Sequence, residues 1–299
     1  MDGASASQIF QYLITGITIG SIYAMVAIGF NIIYNVTDII NFAQGEFVML
    51  GGMTMVLMHV ILGLPIVLAF LFSIILVTLV GATVDRFAIR PIRQPSVLTL
   101  IIATIAVSIL LKGIAMFAWG KDPLDLPAFS GRTPIELFGA VIQPQYLWVI
   151  GLLVVTVLIL TFFFEKTIIG KAMRACADNP DAASLVGINV KKMIMLSFSL
   201  SAAIGAIAGI VITPISLMEY DRGAMLAIKG FSAVILGGLG SFPGAIIGGL
   251  LIGIIESLGA GLISSGYKDA FALIVLLGVL FFKPSGLLGN IEISKIKRF

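Results

Sequence analysis

Apolar runs separated by short polar islands set the rhythm of this chain. The first run extends from about Ile9 to Tyr34 and gives way to a polar knot, Asn35 to Glu46. Runs near Phe47 to Leu62 and Ile66 to Val84 follow, parted by Gly63 and Pro65. Ser96 to Trp119 makes another, and Tyr146 and Trp148 open the next at interface depth. Met193 to Thr213 comes after a long polar insert. Three more crossings are read in the last third: a short one ending near Gly240, one from Phe242 to Leu262, and one from Asp269 to Phe282. A helix needs roughly 20 apolar residues to cross a hydrocarbon core of about 30 Å. The pattern therefore predicts an all-α, polytopic transmembrane bundle of roughly 8–9 spans, with a broken, Gly-rich segment in the C-terminal third.

The polar islands orient these spans. Arg86, Arg90 and Arg93 share one short loop, and Lys166, Lys171, Arg174, Lys191 and Lys192 share the insert, so both are expected in the cytoplasm. The loop carrying Lys121, Asp122, Asp125, Arg132 and Glu136 has mixed sign and reads as external, as does Glu219 to Arg222. The tail Lys295, Lys297 and Arg298 should end inside and the N-terminus outside. The start of the chain carries Asp2 and no Lys or Arg, unlike the basic start of a cleaved signal peptide.

Composition agrees with this class. Hydrophobic residues make up 59% and charged residues 11% of 299, against about 25% charged in soluble domains, and mean hydropathy is +1.14. A membrane β-barrel would instead show short alternating segments. The whole chain, 1–299, reads as one membrane domain, because no segment outside the apolar runs is long enough for a soluble core. With a single cysteine, Cys176, disulfides play no part.

The insert Glu165 to Met193 carries more local specification than a passive linker needs. Asn179 can cap a helix, Pro180 suits its first position, Asp181 the positive end of its dipole, and Gly187 a left-handed stop. That predicts a two-turn rod, Pro180 to Val186. Before it, Ile169 to Ala177 predicts a short helix with Lys171 and Arg174 exposed and Ala172, Met173 and Cys176 on a less polar side. Small residues dominate both pieces and would let another protein approach closely. A solvated loop is the plainer alternative.

In the last third, Gly240, Gly244 and Gly248 are spaced to share one helix face, as are Gly249 and Gly253. Such faces allow close helix packing in lipid, and Pro243 marks a helix end or start. A helix broken at depth must line a cavity or be buried in protein. Among ionisable groups in apolar surroundings, Lys112, Lys229, Glu256 and Glu46 each cost at least about 2.5 kcal/mol at mid-bilayer unless paired or near water. Lys229 and Glu256 have two readings, a structural ion pair (or interfacial snorkelling) and a pathway role. Glu46, beside Asn41 and Gln44 in the knot, reads either as a cytoplasmic gate or as a helix N-terminal carboxylate facing the dipole. Asn31 reads as a hydrogen-bonding partner for a neighbouring helix, and His59 as interfacial. All six of Asn31, Asn41, Gln44, Glu46, Lys229 and Glu256 are candidates for the translocation path or its gate.

Several stretches together resemble a known family: IINFAQGEFVMLGG (39–52), GKAMRACADNPDAASLVGINV (170–190), KGFSAVILGGLGSFPGAIIGGLLIGIIESL (229–258) and FFKPSGLLG (281–289). They are similar to the LivH-type permeases of branched-chain amino-acid ABC importers. The resemblance implies an inner-membrane permease working with a second, LivM-type permease, two cytoplasmic ATPases and a periplasmic binding protein. It also implies that the insert, 165–192, holds the coupling helices, with Gly170, Arg174, Ala175, Asn179, Ala182 and Gly187 at matching positions. Glu219, Tyr220, Asp221 and Arg222 fall where the binding protein would dock, although the family's Pro-x-x-Gly character is reduced here to Gly223. Permeases of similar architecture for urea, short amides or sugars remain an alternative cargo class.

No enzyme chemistry is legible. There is no G-x-x-x-x-G-K-[ST] phosphate loop, no metal-ligand cluster and no nucleophile with its base, so neither cofactor nor nucleic acid is expected, and ATP hydrolysis would belong to a partner. A secondary transporter is the other rival; it would need paired intramembrane acids and inverted repeats, which the sequence does not display.

Overall fold

The computed structural model describes residues 6–92, 96–131, 133–137 and 139–289. Arg93, Arg132, Asp2 and the basic tail lie outside the described residues. Eleven α-helices are present among them: α1 (Ala6–Thr37), α2 (Gln44–Val56), α3 (Ile66–Val84), α4 (Val97–Trp119), α5 (Pro144–Lys166), α6 (Ile168–Asp178), α7 (Pro180–Leu185), α8 (Val190–Ile212), α9 (Arg222–Gly237), α10 (Phe242–Leu262) and α11 (Lys268–Phe282). π-helical turns extend α2 through Leu57–Ile61 and α3 through Asp85–Ile89. Beside them stands a two-stranded hairpin, Ile135–Leu137 with Ala140–Ile142. Eight helical segments are long and apolar enough to cross a membrane. α9, with 16 residues, is the short additional one.

The charge-based orientation is matched by contacts at each end of the bundle. At one end, Arg90 of the first basic loop pairs with Asp85 at 2.7 Å and donates to the carbonyl of Lys191 in the insert at 3.2 Å. Both basic loops thus lie on the same side. At the other end the external loop and the Glu219 segment join through a Leu124–Met218 bridge, with amide-to-carbonyl distances of 2.7 and 3.0 Å. The hairpin meets Gln11 near the N-terminus there too, through two hydrogen bonds to Val141.

Burial divides the helices into an inner set and a sheath. In α1 and α2, 72% of the span lies inside the protein, and in α8 61%, while α3, α4 and α5 bury only 22% and face outward. The inner helices approach closely because glycines carry no Cβ. A Cβ on Gly253 of α10 would lie 2.3 Å from the Gly20 amide of α1, and one on Gly249 would lie 2.4 Å from the amide of Ala24. Gly244 and Gly248 turn instead toward α9, against Gly237 and Ala233. The expected third member of that row, Gly240, is not on the helix: it sits in the α9–α10 turn at φ +84°. Pro243 opens α10 and Ser241 caps it, accepting from the Gly244 amide at 3.1 Å.

The closing stretch near Gly289 folds beneath that turn. Leu287 and Leu288 donate to the carbonyls of Leu236 and Gly237 at 2.8 and 3.0 Å, serving groups that a helix end leaves unpaired. Gly253→Val should separate α1 from α10 and destabilise the purified protein by about 1–3 kcal/mol, read as a lower melting temperature in detergent. Gly113→Ala, at a site with nothing within 4 Å of the added Cβ, should leave that temperature unchanged.

Candidate translocation and coupling sites

The knot between α1 and α2 does not end at the cytoplasmic face. After Thr37 the chain turns at Asp38, a non-glycine residue at φ +56°, and residues 39–43 run non-helically back into the protein. Gln44 and Ser201 hydrogen-bond to each other, and Ser201 is the twelfth of the 23 residues of α8. Ser108, the twelfth of the 23 residues of α4, donates to Glu46 Oε1 at 2.8 Å. The N-terminus of α2 therefore lies at half depth. Asn41, Gln44 and Glu46 are fully buried there, and Glu46 lies in the first turn of α2, where the helix dipole favours a carboxylate.

Backbone groups in this segment find protein partners, as a lipid environment requires. The Phe42 amide donates to Thr104 Oγ1 at 3.2 Å, and the Ala43 amide to Asn41 Oδ1 at 3.1 Å. The Gln44 and Glu46 amides donate to the carbonyls of Asn41 and Ala43, each at 3.1 Å. Ser201 also donates to the carbonyl of Gly29 at 2.8 Å, tying α1, α2 and α8 together. At the same level α9 begins. A Cβ on Gly45 would lie 2.0 Å from the Gly223 carbonyl, and one on Gly223 would lie 2.8 Å from Glu46 Oε2, so two helix N-termini meet beside one carboxylate. Thr104, Ser108 and Ser201 carry no signal in the sequence. Each is an ordinary small residue in an apolar run, and only the packing gives it a partner.

Lys229 and Glu256, 27 positions apart, do form a pair, at 2.8 Å. It is the centre of a larger cluster: Tyr23 donates to Glu256 Oε2 at 2.8 Å, Lys229 lies 2.6 Å from Asp269, and Lys268 lies 3.5 Å from Glu256. Two cations and two carboxylates thus balance across α1, α9, α10 and α11. Asn31 acts between helices too: its Nδ2 donates to the Ser241 carbonyl at 2.9 Å and its Oδ1 accepts from the Gly240 amide at 3.0 Å. It holds the α9–α10 turn. His59 contacts the Leu64 carbonyl at 2.8 Å in the loop between α2 and α3.

In the insert, α6 and α7 fold as two capped helices. Thr167 accepts from the Gly170 amide at 2.9 Å, and Asn179 accepts from the Ala182 amide at 2.9 Å. Gly187 takes φ +86° beyond the end of α7. Arg174, Asn179, Ala182 and Gly187 are exposed, Ala175 is half-buried, and Gly170 is buried against the Phe163 carbonyl, where it lets α6 fold back on the end of α5. Leu185 and Val186 stand out, 87% and 77% exposed. Met173 and Cys176 are buried on the inner side, and burial pushes the Cys176 thiol up from its ordinary range. In the segment that leads into α9, Glu219 and Arg222 pair at 3.8 Å, Tyr220 is half-buried and Asp221 is exposed.

These features define a class: a multi-pass helical membrane transport protein with a polar break at half depth and a specified hook on its basic face. The chain belongs to the family described as branched-chain amino acid transport system/permease component, whose model matches residues 12–280. It is 35% identical over 301 residues to the high-affinity branched-chain amino acid transport system permease protein LivH of Escherichia coli (strain K12), covering 96% of this chain and 97% of that one. The corresponding protein BraD of Pseudomonas aeruginosa is 35% identical over 299 residues, with the same coverages. Among solved structures, PsaBC from Streptococcus pneumoniae in complex with Fab shares the fold, with a TM-score of 0.50 and 18% identity across 98% of this chain and 96% of that one.

Removing one member of a buried charge cluster strands the others. Lys229→Met should destabilise the protein by about 3–5 kcal/mol, and the double change Lys229→Met/Glu256→Met should recover much of that loss; thermal unfolding of the three proteins in detergent measures both. In the hook, a raised thiol pKa means less thiolate at neutral pH. Cytoplasmic-side maleimide should label Ala182→Cys at least about tenfold faster than native Cys176. Labelling of Ala182→Cys only from the opposite side would reverse the orientation.

Proposed function

We propose that this chain is the pathway-forming permease subunit of an ATP-driven importer of branched-chain amino acids. It works with a second permease of the LivM type, two cytoplasmic ATPases and a periplasmic binding protein. The observation that carries this reading is the hook: two capped helices on the basic side, presenting small residues and the apolar pair Leu185 and Val186 to the cytoplasm. Exposed leucine and valine at the tip of a polar loop gain by burial in a groove, and among the described residues nothing covers them. Arg174, Ala175, Asn179, Ala182 and Gly187 form the seat, while Gly170 fixes its angle to α5. The cargo assignment rests on the family and on the relatives' stated transport activity.

On the outer side, Glu219 to Arg222 offer charges of both signs next to the mouth of α9, a surface suited to docking a binding protein electrostatically. Asn41, Gln44 and Glu46 lie on the path, whereas Asn31, Lys229 and Glu256 hold the helices that frame it. In this reading ATP hydrolysis falls to the partner ATPases.

Leu185→Asp should abolish co-purification of the ATPase and cut ATP-driven leucine uptake by reconstituted transporter at least about tenfold, the scale of losing one central apolar anchor. Uptake that follows an ion gradient and ignores ATP depletion would overturn the reading.

A further inference from the structure

We propose that the Glu46–Lys112 pair, together with the cavity that Ser108, the donor to Glu46, helps to line, forms a transit site at half depth in the membrane for one zwitterionic aliphatic amino acid. The cargo class rests on the import function proposed above. Glu46 is completely enclosed, yet its two oxygens differ. Oε1 accepts from Ser108 at 2.8 Å and has the Lys112 ammonium at 3.8 Å, beyond hydrogen-bonding reach. Oε2, against Gly223, has no partner. An enclosed carboxylate oxygen without a donor costs free energy, and the nearby Glu256 shows what full partnering looks like in the same protein: hydrogen bonds from Tyr23 and Lys229 occupy both of its oxygens.

A cavity of about 230 Å³ opens beside Ser108, lined by Phe30, Phe42, Phe231, Ile105 and Ile228. Cavities of about 150 Å³ hold a benzene-sized guest, so a branched aliphatic side chain fits. Its wall is apolar except for Ser108, and Lys112 stands one helical turn further along the same face of α4. Ile105 and Ile228, 41% and 43% exposed, border the cavity on the outward side of α4 and α9.

The chemistry of an amino acid complements this arrangement in three places. Its ammonium meets Glu46 Oε2, its carboxylate meets Lys112 Nζ, and its side chain enters the phenylalanine-lined cavity. The solute splits a loose ion pair that already compensates itself, so the gain on binding is small. A site on a path must release what it takes, and this one is built to hold weakly.

Saturation-transfer NMR on the complete transporter in nanodiscs, without binding protein, tests the assignment with three probes. These are leucine, 3-methylbutylamine (leucine without its carboxylate) and 4-methylpentanoate (leucine without its ammonium). Glu46→Gln should weaken binding of leucine and 3-methylbutylamine at least about tenfold, the scale of one hydrogen bond to a charged group, and leave 4-methylpentanoate unchanged. Lys112→Met should do the converse. Should Glu46→Gln fail to assemble, Ser108→Ala, which frees Glu46 Oε1 and alters its aim, should still shift the affinity for leucine and for the amine but not for 4-methylpentanoate. Leucine binding insensitive to all of these changes overturns the transit site while leaving the import function standing. If cells deleted for this chain take up leucine, isoleucine and valine normally, the import reading fails and the transit site falls with it.

Discussion

Lipid offers no hydrogen bonds to a peptide group, so a chain that abandons its helix inside a membrane must supply every partner from protein. Residues 39–43 do abandon it, between the inner end of α1 and a second helix that starts only at half depth. Thr104, the Asn41 side chain and the preceding carbonyls take up the amides there. The rest of the bundle follows from that need. α1, α2, α4, α8 and α9 meet at the break, and α3, α5 and α11 bury less of their length in the bundle. The inner helices come close enough only because glycines at their crossings remove the side chains that would hold them apart.

Two groups of buried charge have opposite characters within this frame. The cluster on Lys229 and Glu256 is charge-balanced, both oxygens of Glu256 accept hydrogen bonds, and it ties four helices together. Glu46 sits where two helix N-termini meet, with one oxygen held and the other bare. The first is held by ion pairs that cross several helices, whereas at Glu46 one carboxylate oxygen lacks a partner.

The hook on the basic face is built by a third means. It has little core of its own, and its geometry comes from caps, a proline at a helix start, a left-handed glycine and the fold-back of α6 on α5 at Gly170. Rigid local structure in an exposed loop transmits a push, whereas a flexible one would absorb it. The same segment contacts α8, whose middle residue Ser201 holds Gln44. α8 thus links the hook to the polar break.

Several features were determined by the sequence itself. Apolar runs of membrane length, basic loops and helix-capping residues act through neighbours a few positions away, so the all-helical class, the grouping of the two basic loops at one end and the two helices of the hook could be read from the order of residues. Lys229 and Glu256 were recognisable as a pair because each was too expensive to leave alone. The depth of Glu46 was not legible, because a polar knot between two apolar runs looks the same whether it ends at the interface or climbs back inside. Nor could spacing reveal that Gly240 belongs to a turn, that Gly244 and Gly249 face different helices, or that Ser108 and Ser201 meet the knot. Those facts depend on which helices become neighbours, and that is decided by the simultaneous packing of all of them.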